Sequence, residues 1–198
     1  MQIGILGAGH IGTAIARTLA RAGIAVSIAN SRGPQSLAPL VAELGPSVTA
    51  ATPEQVAQAD LVFVAIGWSK LPQALKGLDL SGRIVVDANN PIEAPQFKPF
   101  DLHGRTSSEV FADLVPGARV VKALNHLLAE VLGTDPRGHG GQRVLFVSGD
   151  DVQAKGELAA LLQRTGYATI DLGGLVEGGR MQQFPGGPLA VQHLVKQA

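Results

Sequence analysis

Ile3-Gly4-Ile5-Leu6-Gly7-Ala8-Gly9-His10-Ile11-Gly12 decides the fold. The apolar run Ile3 to Leu6 reads as a strand, Gly7, Gly9 and Gly12 as a G-x-G-x-x-G turn, and Ile11, Ile15 and Leu19 as the apolar stripe of a helix. Each glycine has its own use: the first turns the chain sharply, the second lets backbone N–H groups approach a pyrophosphate, and the third packs helix against strand. The phosphates then rest at the positive end of the helix. Tight turns use glycine for other reasons too, so the surrounding sequence has to decide.

Outward from that turn, apolar strands alternate with helices. The first helix covers about His10 to Ala22, with Ala14, Ile15, Thr18 and Leu19 on one face and Gly23 as its stop. Strands are expected at Ala25 to Ala29, Val48 to Ala50, Leu61 to Ile66, Arg83 to Ala88 and Arg119 to Leu124, with helices between them. Leu61 to Ile66 is continuously apolar, as a strand buried on both faces must be. Thr52 before Pro53 and Thr106 three residues before Glu109 are N-cap signals. The pattern predicts an α/β, Rossmann-type, doubly wound, mainly parallel sheet with a small C-terminal extension.

Residues 1–136 form the expected dinucleotide-binding core and 137–198 a β-α-β-α extension packed on the same domain. Arg137 to Gln142, rich in glycine, reads as a boundary or a mobile loop. In the extension, a strand at Val144 to Val147 precedes a helix from Asp150-Asp151 with Val152, Leu158, Leu161 and Leu162 on its apolar face. A last strand at Tyr167 to Leu172, a glycine-rich run from Gly173 to Gly187 and a helix from about Pro188 complete the expectation. Ile92 to Arg105 is irregular and suits a lid or an oligomer contact.

The chain of 198 residues is 45% hydrophobic and 16% charged, which describes a well-buried globular protein. Sixteen basic and sixteen acidic residues cancel, so no overall field recruits nucleic acid or an anionic membrane. With no cysteine there is no disulfide, thiolate metal site or cysteine nucleophile. No leader pattern precedes the first strand and no apolar run approaches the roughly 18–20 residues of a spanning helix, so a soluble, cytoplasmic protein is expected. His10, His103, His126, His139 and His193 share no ligand spacing, and no metal is expected.

The end of the second strand tests the dinucleotide reading. NAD enzymes usually place a carboxylate there to hold the ribose diol, whereas this chain has Asn30-Ser31-Arg32 and no Asp or Glu before Glu43. An arginine fork beside a serine hydroxyl suits a 2′-phosphate, so the expected cofactor is NADP(H). An exposed turn carrying an incidental arginine is the plainer alternative. The expected cofactor residues are Gly7, Gly9, His10, Ile11, Gly12, Asn30, Ser31, Arg32, Ala65 and Ile66.

Ligands of open α/β sheets lie beyond the carboxyl ends of the strands. Ile66 and Trp68, Asn90, and Ala123 with Asn125 and His126 end three strands and are the candidate lining of a hydride-transfer cleft. Plainer readings stand beside them: Trp68 as a core aromatic, Asn90-Pro91 as a turn, and His126 as a helix-start residue rather than a proton donor. Lys122 sits inside an apolar strand, away from a catalytic helix. No GxSxG elbow supports a hydrolase.

Taken together, GAGHIG, the NSRGP tip, VVDANNP, SSEVFADLVPGARVVKALNH, FVSGDD followed by a helix and GY, and the terminal GGPLA resemble the NADP oxidoreductase family that reduces coenzyme F-420, a deazaflavin. The resemblance spans nearly the whole chain. It implies hydride transfer between nicotinamide and a deazaflavin or flavin-like acceptor, with the glycine turn, Ser31 and Arg32 on the cofactor. It also implies that the segments around Ile66, Asn90 and Ala123 to Asn125 form the transfer cleft, and that the C-terminal glycine-rich stretch borders the acceptor. A similar module forms the reductase domain of membrane ferric reductases, so flavin or ferric-flavin reduction is one alternative and a non-enzymatic NADP(H) sensor another. Apolar surface left exposed around Phe97 to His103 and along the apolar C-terminal helix suggests a homodimer.

Overall fold

The computed structural model describes residues 1–93, 96–138 and 140–197. From β1 (Ile3–Leu6) the chain passes through the glycine turn into α1 (His10–Arg21). The alternation continues with β2 (Val26–Ala29), α2 (Ala38–Leu44), β3 (Val48–Ala50), α3 (Pro53–Val56), β4 (Leu61–Val64), α4 (Leu71–Leu75) and β5 (Ile84–Asp87). A small hairpin of β6 (Ile92–Glu93) and β7 (Lys98–Pro99) precedes α5 (Ser107–Asp113), β8 (Arg119–Ala123) and α6 (Ala129–Leu132). Then follow β9 (Arg137–Gly138), β10 (Gly141–Ser148), α7 (Val152–Arg164), β11 (Ala168–Asp171), α8 (Leu175–Gln182) and β12 (Val195–Gln197).

The sheet runs β11-β10-β8-β5-β4-β1-β2-β3. Its strands are parallel from β3 to β8, β10 joins β8 antiparallel, and β11 follows β10 in parallel. This is the Rossmann-type, mainly parallel sheet. After β3 the chain crosses back to place β4 on the other side of β1, and the reversal opens a crevice at the carboxyl ends of these strands.

Strand periodicity explains the two cores. Ile5, Phe63, Val86 and Val121 face one layer, which Ile15 and Leu19 of α1 and Leu158 and Leu162 of α7 complete. Leu6, Val62, Val64 and Val85 face the other, against Val56, Leu71, Leu75 and Phe111. Both sides of each central strand are therefore apolar, which is why these strands read as continuous hydrophobic runs. Both N-caps form: Thr52 accepts from the Gln55 N–H at 3.3 Å, and Thr106 accepts from the Glu109 N–H at 3.2 Å.

The C-terminal part departs from expectation. No helix begins at Pro188; the chain turns there and ends in β12, antiparallel to β10. The helix lies earlier, as α8, inside the glycine-rich run. A Cβ on Gly178 would meet the Ser148 Cβ at 2.4 Å and one on Gly179 the Ser108 Oγ at 2.7 Å, so these glycines serve close helix packing. Arg137 to Gln142 is not a free loop: β9 pairs with the start of β10, and a Cβ on Gly141 would lie 2.2 Å from the Lys196 carbonyl oxygen. Val152 is exposed because it is the first residue of α7, before the buried face begins. The stretch from Ile92 to Arg105 contains the β6–β7 hairpin, with Phe97 and Phe100 exposed. His139 lies outside the described residues. Among the described residues no helix is long and apolar enough to cross a membrane, and no group of three His, Cys, Asp or Glu side chains is placed to hold a metal.

Candidate functional site

Two of the glycines in the first turn are fixed by contact. Gly7 has φ +105°, and a Cβ there would lie 2.2 Å from the Ala65 carbonyl oxygen. On Gly12 a Cβ would lie 1.9 Å from the Gly7 carbonyl oxygen, so α1 can follow β1 this closely only with hydrogen at that position. Gly9 differs, because a Cβ there would meet no atom within 4 Å. It faces open space as the N-cap of α1, whose first turn has no acidic side chain and leaves its leading N–H groups without helical partners.

That open space is a cleft of about 310 Å³. Gly7, Ala8 and Gly9 form one wall, Asn30, Ser31 and Arg32 the second, and Ala65, Ile66 and Gly67 the third, with Lys70 and Ala74 beyond. Among the described residues no carboxylate lines it. Arg32 and Lys70 are both exposed, and neither has an ion-pair partner among the described residues. Asn30 shapes the tip: its Oδ1 accepts from the Arg32 N–H at 2.9 Å and its Nδ2 donates to Ser36 Oγ at 2.9 Å. Small residues, helix N–H groups and two cations make a cradle suited to a phosphorylated nucleotide, and the volume suits the adenosine half of a dinucleotide. The space over Gly9, which a Cβ would occupy, is where the fit of a pyrophosphate is decided. His10 and Ile11 begin α1, and His10 is exposed; neither is a wall of this cleft.

The other strand ends form a buried polar seam. Asp87 and Lys122 are register partners on β5 and β8, both 0% exposed, with Nζ 2.9 Å from Oδ2. Burial pushes the Lys122 ammonium below the usual lysine range, and the Asp87 charge opposes that shift. Asp87 Oδ1 accepts from the Asn89 backbone N–H at 3.0 Å and from its Nδ2 at 2.7 Å, while Asn89 Oδ1 accepts from the Ile66 N–H at 2.8 Å. Asn90 donates from Nδ2 to the Asn125 carbonyl at 2.7 Å, and its Oδ1 accepts from Asn125 Nδ2 at 3.0 Å and the Phe184 N–H at 3.0 Å. Asn125 Nδ2 also donates to the Gln182 carbonyl at 2.8 Å. Leu124, between Ala123 and this amide, has φ +63°, a strained conformation for a branched side chain.

Of the residues expected in the transfer cleft, the structure brings Asn90 and Asn125 together and leaves Ile66 on the cleft wall. Trp68 is a core aromatic beside Leu71. Ala123 is fully buried in the sheet. His126 is 1% exposed, with its ring 4.6 Å from that of Phe146 and both nitrogens lacking a hydrogen-bond partner among the described residues. Its pKa is pushed down to about 4, chiefly by burial and against a weaker upward influence of the Val144 backbone. It is therefore neutral near pH 7 and makes a poor proton donor. Sequence reasoning passed over Lys70, the basic residue closing the turn after β4, and the pairing of Lys122 with Asp87 and Asn89. The available signal for the latter was one opposite charge in each of two neighbouring apolar strands.

A glycine turn at the crevice of a doubly wound sheet, with cations instead of a carboxylate at the tip of β2, has the form of a dinucleotide-binding site of the NADP type. Residues 2–91 match the family described as NADP oxidoreductase, coenzyme F-420-dependent. A solved structure of a hypothetical protein from Sinorhizobium meliloti shares 44% identity, covering 100% of this chain and 96% of that one, with TM-score 0.94. Another, from an Arthrobacter species and provisionally named an F-420-dependent NADP-reductase, shares 34% identity over 88% of this chain and 86% of its own, with TM-score 0.74. Metalloreductase STEAP3 of Rattus norvegicus is 30% identical over 187 residues, 93% of this chain, which spans 36% of that protein's length. The chain belongs to the coenzyme F-420-dependent NADP oxidoreductase family.

Proposed function

We propose that this protein transfers hydride between NADP(H) and a deazaflavin of the coenzyme F-420 type. The observation that carries the reading is the single cleft in which the open cradle at Gly9 meets Ser31, Arg32 and Lys70, with no carboxylate to repel a 2′-phosphate. In this reading the first-turn N–H groups of α1 hold the pyrophosphate and Arg32 forks onto the 2′-phosphate. The Ala65-Ile66-Gly67 turn supports the dinucleotide from the opposite wall. The bound nicotinamide supplies the hydride, and the acceptor's ring system takes up the charge.

The protein's share of catalysis is orientation. Holding donor and acceptor rings at near-attack distance removes the entropic cost of a bimolecular encounter. The Asn90–Asn125 pair, tied to the Phe184 backbone, fixes the strand ends against the C-terminal segment and supports a wall for the acceptor. A buried, neutral His126 leaves any proton to water or to the acceptor itself.

Free flavin or a ferric-flavin complex is the rival acceptor, and likeness to a metalloreductase supports the ferric form. Oxidation of NADPH with deazaflavin, FMN and riboflavin in parallel separates the readings. Turnover with the deazaflavin is expected; turnover with flavins alone assigns a flavin reductase, and tight NADPH binding without turnover assigns a sensor. We also propose a homodimer involving exposed Phe97 and Phe100, which sedimentation at several concentrations tests; a monomer throughout would refute it.

A further inference from the structure

We infer that Asn89 is a positioning residue for the cofactor wall, clamped in one orientation by the buried Asp87–Lys122 pair; this rests on the NADP(H) reading above. A buried ion pair is often matched or bettered in stability by apolar residues of the same volume, so stability alone does not account for this one. Its remaining hydrogen-bonding capacity is spent on Asn89. The Asp87 carboxylate accepts from the Asn89 backbone N–H and Nδ2, and the Lys122 ammonium donates to the Asn89 carbonyl.

The orientation of the amide follows from this. A carboxylate only accepts, so Asn89 must present its Nδ2 to Asp87, and Oδ1 is left facing the Ile66 N–H at 2.8 Å. Ile66 lines the cleft, and the carbonyl of Ala65 before it is the atom that a Cβ on Gly7 would strike. A chain of contacts thus runs from Lys122 through Asp87 and Asn89 to the turn that abuts the glycine loop. This wall is common to NADPH and NADH, because it does not involve the Ser31-Arg32 tip.

The test pairs Asn89→Ala with Arg32→Ala and measures equilibrium binding of NADPH and NADH, together with amide hydrogen exchange. For Asn89→Ala the expected result is about tenfold weaker binding of both nucleotides. The Ile66 amide should exchange faster while that of Phe63, inside β4, stays protected. Arg32→Ala should weaken NADPH alone. Unchanged affinity of Asn89→Ala for both nucleotides, or an unchanged Ile66 exchange rate, overturns the inference. If Asn89→Ala does not fold, Asp87→Leu with Lys122→Met carries the same test, since it removes every side-chain group that holds Asn89 while nearly keeping volume. Failure of the wild-type protein to bind NADPH would instead refute the cofactor reading, so the two failures are distinguishable.

Discussion

The cleft over β1 and β2 and the polar seam between β5 and β8 occupy the same edge of the sheet, yet they are built in opposite ways. The cleft is made of backbone, small residues and two exposed cations. The seam is made of buried side chains from distant parts of the chain, with Asn90 bonded to Asn125, 35 residues away, and to Phe184, 94 residues away. An open, cationic surface can recognise a charged nucleotide, whereas a closed network holds backbone in place. Substitutions should therefore separate the two regions: in the cleft they should change binding at nearly constant stability, and in the seam they should change stability first.

The glycine turn gives the sharpest contrast. Gly12→Ala forces a Cβ to within 1.9 Å of a backbone oxygen and should destabilise the fold by more than about 4 kcal/mol, seen as loss of a cooperative thermal transition. Gly9→Ala places its Cβ in open space from an extended backbone, φ −81°, so the melting temperature should hold while NADP(H) affinity falls at least about tenfold. Equal behaviour of the two variants would break the comparison. In the seam, Lys122→Met leaves the Asp87 charge buried without its partner and should cost about 3–5 kcal/mol in denaturant unfolding. Adding Asp87→Asn should recover most of that loss, and a double variant no better than the single one would deny the pair its coupling.

The same contrast explains what could be read in advance. β1, the glycine turn and the β2 tip lie within the first 32 residues and obey local rules, so the sequence exposes both their structure and their chemistry. Strands buried on both faces are mostly apolar, which makes Leu61–Val64 and the run from Ile84 to Val86 legible. Gly178 and Gly179 misled because glycine signals a loop by propensity, while here it admits Ser148 and Ser108 against α8. Pro188 fits a helix start, but β12 is set by pairing with β10, more than 50 residues earlier, and no local pattern carries that. The linkage of Lys122 to Asp87 and Asn89 was hidden for the same reason: only the β5–β8 register brings them together. Trp68 and His126 were ambiguous because strand-end aromatics and histidines serve cores as readily as clefts, and burial settles both in the interior.

His126 extends the comparison to pH. Its folded-state pKa of about 4 lies below the ordinary 6.5, so as pH falls the unfolded chain takes up the proton first. Stability from this group is present above pH 6.5, declines between 6.5 and 4, and reaches a full loss of about 3 kcal/mol below that. Unfolding measured across this window should show a shallower slope for His126→Gln than for the wild type. Parallel slopes would mean that the buried imidazole takes up its proton in the fold at the same pH as in the unfolded chain.

The smallest effects belong to the cations of the cleft, and they decide which nucleotide it reads. Arg32 can make charge-assisted bonds to a 2′-phosphate, and Arg32→Ala should weaken NADPH by about 1.5–3 kcal/mol. NADH, which lacks that phosphate, should be nearly unaffected. Lys70 is a single ammonium on an exposed side chain, so Lys70→Met should cost less, about 0.5–1 kcal/mol, and should again spare NADH. If both residues face one phosphate, the double variant should lose more than the sum of the two, because in each single variant the remaining cation takes over part of the lost contact. Strict additivity would place Lys70 on a different part of the nucleotide, and equal losses for NADPH and NADH would remove the 2′-phosphate from the argument altogether.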